Sequence, residues 1–564
     1  MSKRLLLAAA VLAAAVAVLV FFTVPPRHLQ LQSTGDGTIP GLLHVHSNRS
    51  DGRSSPDEIA AAAARAGLKF LVFTDHGDAT RAPDPPAYRS GVLCLDAVEI
   101  STNQGHYVAV GLPAAPYPLA GDARDVVDDV KRLGGFGIAA HPDSPNPQLA
   151  WREWTAPFDG IELLNPDTSW RLLASEPGAG GKGELVTALV DYAFRPTETI
   201  AGHLRESRAI ASWQAIATRR PVVAIAGVDA HAKLLLSRAD DSPYALPFFG
   251  YDVAFRLLSV RVSVEHPLTG NAAADADALL AGIRAGHLYT AVDGLATPPS
   301  FDVVAANSRN TVREGDTLEA GGSVSIHVRS NAPASYTTIV HRGTSVLASA
   351  RDAADWTVHA GGEPAVYWIE IAAPHQPAPI TWLRSNPVYV RGPAAKPETA
   401  APRAAQTVAI LFDGTSADGW DIEHDPASLA AVEVAEAPSG TELRLRYGLA
   451  GGTPSSQVVA LTHKTPNGIA AADRLTFTVR AEKPMRVSVQ LRSKNFYRWQ
   501  RSIYVDSTAQ ERSLRFDDVT PVGVTPPPAP PLADIISVMF VIDVTNSKPG
   551  TSGRLWLAHV RFER

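Results

Sequence analysis

Cysteine is nearly absent from this sequence: Cys94 is the single one among 564 residues. A lone cysteine excludes an intramolecular disulfide framework and a metal cluster held by several thiolates. An excess of positive charge is also missing, because 51 basic residues face 57 acidic ones and the net charge is −6. That balance argues against a protein that binds nucleic acid through its phosphates. The chemistry of this chain must therefore use imidazole, carboxylate and hydroxyl groups, and the sequence contains 17 histidines.

Sequence signatures of other hydrolases and of nucleotide-binding proteins are missing too. No G-x-S-x-G segment supplies a serine nucleophile, and no G-x-x-x-x-G-K-[ST] segment supplies a phosphate-binding loop. Cys94 lies in an apolar run, which favours a place in the core over a role as a nucleophile. Neither serine-hydrolase nor nucleotide-dependent chemistry is indicated.

The N-terminal stretch is strongly apolar. Residues Leu5 to Val24 carry no charge, and Lys3 and Arg4 precede them. A helix of that length spans about 30 Å, the thickness of a bilayer core, and the basic flank is expected on the cytoplasmic side. We therefore expect residues 1–26 to anchor the protein in a membrane, with the remaining domains facing the periplasm or the exterior. Cleavage of a signal peptide followed by secretion is the alternative.

Residues 38–297 alternate between short apolar runs and helical patterns. Ser55-Pro56-Asp57-Glu58 is a capping box that predicts the start of a helix, and Phe255 to Val264 predicts a late strand. Alternating strands and helices are typical of parallel sheets, and a closed barrel is a common arrangement at this length. We predict an α/β barrel over residues 38–297.

Helical patterns fade beyond residue 297. Residues 298–392 and 407–564 alternate in the manner of strands and predict two β-sandwich domains, joined by a Pro/Ala linker over 393–406. The last domain is rich in aromatic residues and is similar to carbohydrate-binding jelly rolls, with residues 495–499 predicted as an exposed loop. Packing in the sandwich core remains an equally open role for most of these aromatic side chains.

Six histidines and three acids lie at or near the ends of predicted strands in the α/β region. They are His44, His46, Asp51, His76, Glu99, His106, His141, Asp229 and His231. Residues two apart on a strand face the same side, and the carboxyl ends of barrel strands meet on one face. One histidine at a strand end is more often structural, but so many buried ionisable groups are costly without a cation. The pattern predicts a metal centre suited to zinc, manganese or iron rather than calcium.

The segments HVHSNRSDG, TDHGD, AAHPD and VDAHA, together with Glu99, resemble the metal motifs of the polymerase and histidinol phosphatase (PHP) superfamily. The resemblance covers roughly residues 40–300 and implies a distorted (β/α)7 barrel with three divalent ions. It implies that Asp75 orients a ligand without binding metal. The first ion would be held by His44, His46, Glu99 and Asp229, the second by Asp51, His76 and His231, and the third by Glu99, His106 and His141.

Two further segments, ALLAGIRAGHLYTAVDG and WLRSNPVYV, are similar to the carbaryl-hydrolase-like branch of that superfamily, whose members carry a β-sandwich after the barrel. This branch includes carbamate-cleaving enzymes as well as presumed phosphoesterases. The resemblance therefore leaves two bond types open for the same centre.

The resemblance implies hydrolysis by a hydroxide that bridges the ions, held by the ligands His44, His46, Glu99, His141 and Asp229. Asp51, Glu99 and Asp229 supply a charge of −3 against the formal +6 of three divalent ions, so the site favours an anionic substrate. We predict a phosphoesterase, with an amide or carbamate hydrolase as one alternative. The other alternative is a surface glycan-binding protein whose barrel is only a scaffold.

Three cationic residues near the predicted ligands, Arg49, Arg53 and Lys233, are candidates for substrate contact. The expected substrate is a small-molecule or glycan-linked ester. Nucleic acid is not an expected partner, and the membrane is expected to contact only the N-terminal helix.

Overall fold

The structure is a computed structural model, and it describes residues 3–33, 35–235, 245–246, 248–392, 405–437, 440–523 and 528–564. The chain divides into two compact units, one of Met1–Pro113 and Val127–Ala395 and the other of Ala114–Val126 and Lys396–Arg564. Most of the predicted linker, residues 393–404, lies outside the described residues. The predicted domain boundaries stay predictions.

The first part of the chain is mixed α/β, as the sequence predicts. Its helices are α1 Lys3–Thr23, α2 Pro56–Arg65, α3 Ala123–Arg132, α4 Pro166–Ala174, α5 Gly178–Tyr192, α6 Pro196–Gly202, α7 Ile210–Ala217, α8 Tyr251–Leu257 and α9 Ala272–Ala285. Its strands are β1 Leu29–Gln30, β2 Ile39–Val45, β3 Phe70–Phe73, β4 Ala87–Arg89, β5 Val92–Asp96, β6 Val98–Thr102, β7 Gly105–Val110, β8 Phe136–Ala139, β9 Gly160–Leu164, β10 Val223–Ala230, β11 Leu234–Leu235, β12 Ala245–Leu246, β13 Ser259–Val262, β14 Leu288–Ala291 and β15 Ala296–Thr297.

Parallel pairing brings the ends of these strands to one side. Strand β2 pairs in parallel with β3 and β10, β3 with β5, and β9 with both β8 and β10. Strand β7 runs antiparallel to β6 and β8, so its first residues lie beside the last residues of its neighbours. This direction explains why His106, near the start of β7, lies at the same edge as groups that follow other strands.

The capping box predicted at the start of α2 is confirmed. The Ser55 side chain accepts a hydrogen bond from the backbone of Glu58, and the Glu58 carboxylate accepts one from the backbone of Ser55, 2.9 Å away. Pro56 occupies the first turn, where a missing N–H costs nothing. The helix then buries Ile59 and three alanines against the core that contains Phe70 and Val72.

The first unit continues into a β-rich part. Its strands are β16 Phe301–Ala306, β17 Thr311–Arg313, β18 Thr317–Glu319, β19 Val324–Ser330, β20 Thr337–Arg342, β21 Ser345–Arg351, β22 Asp355–Ala360, β23 Ala365–Ala373, β24 Ile380–Ser385 and β25 Val388–Arg391. Strand β14 of the α/β part pairs with β24, so hydrogen bonds between strands continue from the α/β part into the β-rich part. A separate core containing Leu318, Tyr367 and Trp382 lies within it.

The second unit contains two six-stranded sheets. Its strands are β26 Thr407–Phe412, β27 Trp420–His424, β28 Leu429–Ala437, β29 Gly440–Gly448, β30 Val458–Lys464, β31 Arg474–Ala481, β32 Met485–Ser493, β33 Arg498–Val505, β34 Gln510–Arg515, β35 Thr520–Val522, β36 Ile535–Asp543 and β37 Ser552–Glu563, with a 3-10 helix at Leu532–Asp534. Trp420, Tyr447 and Trp499 are buried in its core. Phe496 and Tyr497 are exposed in the turn between β32 and β33, as predicted. The loop predicted over residues 495–499 is shorter, since Arg498 and Trp499 belong to β33 and Trp499 packs into the core.

Two predictions about individual elements differ from the structure. The strand predicted over Phe255 to Val264 is shorter, since Phe255 lies in α8 and packs its ring against Tyr251, one helical turn earlier. Apolar residues spaced by four favour a helix, and the tertiary contact of this pair decides between the two periods. Within the described part of the chain, no helix has the length and apolar character required to cross a membrane, so the predicted membrane-spanning helix is unsupported.

A buried carboxyl group in the turn after β17 predicts a pH-dependent stability. Burial raises the pKa of Glu314 from 4.5 to about 7, against the opposing charge of Arg313. A pKa raised by folding stabilises the folded state below pH 4.5, and this contribution is lost as the pH rises through about 7. We expect Glu314→Gln to match the wild type near pH 4.5 and to be more stable than it at pH 8 by about 3 kcal/mol. Denaturant unfolding at both pH values measures the difference.

The exposed Glu319, paired with Arg309, provides the matched control for this measurement. Its glutamine variant should follow the wild-type pH curve. Parallel curves for Glu314→Gln and the wild type would show that folding does not raise the pKa of the Glu314 carboxyl.

Candidate metal centre

The nine side chains singled out from the sequence come together at one edge of the parallel strands. They form four overlapping groups in which the ligand atoms of each group lie within 4.8 Å of one another. The groups are His46, Asp51, His76 and His231; His44, Glu99 and His141; His44, His46 and Asp229; and His76, Glu99 and His106. Residues spread over 188 positions of sequence thus share one site.

The Glu99 carboxylate lies at the centre of the cluster. Its side chain is 1% exposed, and five imidazoles surround it. The distances from Oε2 are 3.2 Å to His44 Nε2, 3.1 Å to His46 Nε2 and 3.4 Å to His76 Nδ1, and those from Oε1 are 2.7 Å to His106 Nδ1 and 2.9 Å to His141 Nε2. Both carboxylate oxygens therefore face imidazole nitrogens together with which they could hold a cation.

Two further carboxylates face the same imidazoles. Asp229 Oδ1 lies 3.4 Å from both His44 Nε2 and His46 Nε2 and is buried. Asp51 Oδ2 lies 3.2 Å from His231 Nε2, and the Asp51 side chain is half exposed at the mouth of the site. The cluster therefore runs from a closed interior around Glu99 to an open side at Asp51.

The backbone is strained at three of these positions. His44, His141 and Asp229 have φ values of 65°, 25° and 50°, in the left-handed region that residues with side chains rarely adopt. The register of β2 shifts between Leu42 and Val45, on either side of His44, and such irregularities redirect side chains. Strain of this kind costs about 1–3 kcal/mol per residue and is concentrated at functional sites.

Several imidazole nitrogens of the cluster are buried without a hydrogen bond, and they indicate whether the site is suited to cations. His44 Nε2 and both ring nitrogens of His46 are fully enclosed, and none of them makes a hydrogen bond with the residues that the structure describes. Buried polar atoms are normally paired, and each of these three nitrogens lies 3.1–3.4 Å from a carboxylate oxygen with which it could share a cation. Imidazole nitrogens beside carboxylates are the donor set of zinc, manganese and iron, and the site fits such ions.

Glu162 is a part of this site that the sequence patterns did not reveal. Its carboxylate lies 2.5 Å from His44 Nδ1 and accepts hydrogen bonds from the backbone of His141 and from Asn165 Nδ2, at 2.8 and 3.2 Å. The bond to Nδ1 leaves Nε2 of His44 directed at Glu99 and Asp229. The available signal was a lone acid inside the apolar strand GIELL.

Asp75 lies beside the cluster and holds a loop. Its carboxylate accepts hydrogen bonds from the backbone and hydroxyl of Ser47 and from the hydroxyl of Ser50, at 2.7–2.8 Å. These bonds fix the turn that leads to Asp51. The resemblance implies that Asp75 orients a metal ligand, and this stays a prediction. The group that Asp75 holds in the structure is the loop of Ser47 and Ser50.

The acids and the imidazoles of the cluster shift one another's pKa values. Burial opposes ionisation of Glu99 and Asp229, but the neighbouring histidines hold the pKa of both carboxyls well below the usual range. Burial likewise opposes protonation of His231, yet Asp51 and Asp229 raise its pKa to about 9. Protons on the histidines thus balance the carboxylates in the absence of metal, and binding of cations must release protons.

The three cationic candidates for substrate contact lie in different surroundings. Arg49 pairs with Asp84 and Asp96 and lines a cavity of about 380 Å3 that His76 also lines. The Arg53 side chain is exposed. Lys233 lines a cavity of about 510 Å3 onto which Asp51, Asp229 and His231 open.

The same cavity is lined by residues for which the sequence carried no signal. Asp167 and Arg171 of α4 form an ion pair on one wall, and Phe248 and Phe249 line another part. No motif marks these residues, because only the packing of α4 and of the segment before α8 brings them to the ligands.

Known proteins are similar to parts of this chain, and a family model identifies one of these parts by its residues. The family model described as PHP domain matches residues 43–107. An uncharacterized protein of Methanocaldococcus jannaschii is 26% identical over 137 residues, which cover 22% of this chain and 80% of that protein.

Solved structures similar to part of this chain include carbohydrate-binding proteins. A family 11 carbohydrate-binding module of Clostridium thermocellum is 15% identical, with 28% of this chain and 93% of that chain covered and a TM-score of 0.23. An exo-beta-agarase is 12% identical, with 27% and 25% covered and a TM-score of 0.21. The chain thus contains a match to the PHP domain over residues 43–107, the segment that supplies six of the nine clustered side chains.

Proposed function

We propose that this protein is a hydrolase with a trinuclear metal centre that cleaves phosphoesters. The observation that carries the proposal is the enclosed Glu99 carboxylate among five imidazoles, three of whose buried nitrogens make no hydrogen bond within the described part of the chain. PHP domains are generally those of metal-dependent hydrolases, which agrees with the match over residues 43–107. The pairings of β2, β3 and β5 to β10 support a distorted barrel as the scaffold. It is seven-stranded when β5 and β6, which only Ala97 separates, are counted as one strand.

The proposed ligand sets follow the resemblance. They are His44, His46, Glu99 and Asp229 for one ion, Asp51, His76 and His231 for the next, and Glu99, His106 and His141 for the third. Divalent ions held there would activate water for attack and offset the negative charge that develops on a phosphoryl group. The metal identity among zinc, manganese and iron is left to the metal-loading experiment.

The residues of the chain prepare the site for this reaction. Glu162 sets the tautomer of His44 through Nδ1, and Asp75 fixes the loop that presents Asp51. In the overall step, water adds to phosphorus, the ester P–O bond breaks, and the alcohol leaves with a proton. The cavity of about 510 Å3 gives the ester access to the exposed side of the cluster, at Asp51 and His231.

An assay panel on the full chain tests the proposal. The protein, loaded with manganese or zinc, is offered p-nitrophenyl phosphate, bis-p-nitrophenyl phosphate and an aryl carbamate. We expect metal-dependent release of nitrophenol, and loss of that activity in His46→Ala and Asp229→Ala with the circular dichroism spectrum retained. Turnover of the carbamate alone would favour an amide or carbamate hydrolase instead. No turnover of any of the three substrates would contradict a hydrolase of either kind.

A further inference from the structure

The wall of the larger cavity contains an arginine that the proposed centre does not use. Arg171 lies on α4 and lines this cavity together with the candidate ligands Asp51, Asp229 and His231. A cation at this place could select the charge of the substrate. The inference drawn from it rests on the proposed function.

The position of Arg171 is set by the same hydrogen bonds that order the centre. Helix α4 begins at Pro166, and its N-cap Asn165 accepts a hydrogen bond from the backbone of Thr168 at 2.8 Å. The Asn165 amide also donates to Glu162, the carboxylate that holds His44. The first turn of α4 is thus tied to the cluster, and Arg171 follows one turn later.

The guanidinium of Arg171 uses only its Nε group in a hydrogen bond to the described residues. Its Nε donates to Asp167, which lies four residues earlier on the same helix face and also lines the cavity. Among the described residues, none accepts a hydrogen bond from Nη1 or Nη2 of Arg171, and its side chain is 48% exposed. A guanidinium held at Nε presents its two Nη groups as a planar fork, the geometry that matches two oxygens of a phosphate.

Carboxylates surround the Arg171 guanidinium, which lines the cavity together with Asp51 and Asp229. The charge of Asp167 raises the pKa of the Arg171 guanidinium against the effect of burial, and Asp229 and Asp51 add to the rise. Arg49, by contrast, is paired with two carboxylates at the other cavity. Arg171 is therefore the better placed of the two arginines for an anion bound at the cluster.

We propose that Arg171, positioned by Asp167, binds two non-bridging oxygens of a terminal phosphate, which makes phosphomonoesters the preferred substrate class. A phosphomonoester has three non-bridging oxygens, so it can give two to the fork and direct the third at the cluster. A phosphodiester has only two, and a carbamate carries no anionic group for the fork. The aromatic side chains of Phe248 and Phe249 line the same cavity and provide apolar surface for the leaving group.

Inorganic phosphate is the probe for the binding step, and the two nitrophenyl esters are the probes for specificity. We expect Arg171→Met to weaken calorimetric binding of phosphate to the metal-loaded full chain at least about tenfold. The kcat/KM for the monoester should fall about a hundredfold, mainly through KM, and that for the diester by less than about tenfold. Arg171→Lys, which keeps the charge without the fork, should recover only part of the loss.

Arg65→Met is the matched control, because Arg65 is also a half-exposed helical arginine paired with an aspartate, Asp252, and does not line the cavity. Metal content and the thermal midpoint are measured for every variant. Asp167→Asn should weaken phosphate binding less than Arg171→Met does, because it removes only the residue that positions the fork.

Equal phosphate affinity in Arg171→Met and Arg65→Met would overturn the assignment of Arg171. Equal losses for monoester and diester would overturn the preference for monoesters. If the wild type binds phosphate through Arg171 but hydrolyses none of the esters, the proposed function fails while the anion site stands. If it hydrolyses esters and Arg171→Met has no effect, only the inference about Arg171 fails.

Discussion

Replacement of Glu99 by glutamine is expected to lower metal-dependent kcat/KM by about a thousandfold or more. The substitution keeps the shape of the side chain but removes the charge that five imidazoles share. An amide also offers only one oxygen and places an NH2 group against ring nitrogens that need an acceptor or a cation. Elemental analysis after gel filtration should show less bound metal per chain than in the wild type.

The matched control for this substitution is Glu314→Gln, which changes another buried glutamate of the same unit outside the cluster. It should retain metal content and turnover. Full activity and full metal occupancy in Glu99→Gln would contradict the assignment of Glu99 as the central ligand. A loss of both together with a collapsed circular dichroism spectrum would instead assign Glu99 a structural role.

The second large effect is expected on stability when divalent ions are removed. A ligand that binds only the folded state stabilises it by about 4 kcal/mol when its free concentration is a thousand times Kd. We expect chelation to lower the thermal midpoint of the full chain and re-addition of zinc or manganese to restore it. Scanning calorimetry with and without chelator measures the shift.

The size of this shift should depend on pH in a defined direction. Burial disfavours the protonated forms of His44, His76, His141 and His231, but neighbouring carboxylates raise the pKa of all four, that of His231 to about 9. A pKa raised by folding stabilises the metal-free protein at low pH, and this stability is lost as the pH rises through the folded value. Protons also compete with metal for the same nitrogens. The metal-induced rise in midpoint should therefore grow from pH 6 to about pH 9.

An exposed histidine supplies the control for the stability measurement. His327 pairs with Asp355 in the β-rich part of the first unit, so His327→Ala should keep the full metal-induced shift. His76→Ala, which removes an imidazole that belongs to two of the groups, should reduce it. A midpoint that does not respond to metal at any pH would contradict the metal centre.

Local patterns in the sequence were sufficient for several features. The capping box at Ser55 was readable because its partners are three residues apart. The mixed α/β character of the first part and the β-rich character of the rest follow from hydrophobic periodicity, a local property. The nine clustered side chains were recognisable because short motifs mark the ends of strands, and parallel strands bring such ends to one edge.

Long-range packing decided what those patterns could not. Glu162 reaches His44 because β9 pairs with β10. No residue near Glu162 in the sequence marks it as a partner of His44. Arg171 reaches the cavity because α4 is tied to the same carboxylate, whereas Arg49, closer in sequence to the motifs, is paired with Asp84 and Asp96. The sequence alone determined which residue types are available for chemistry and at which strand ends they lie. The tertiary structure decided which charges are neutralised by neighbours and which remain directed into the cavity, because an ion pair depends on distances in space that sequence separation does not specify.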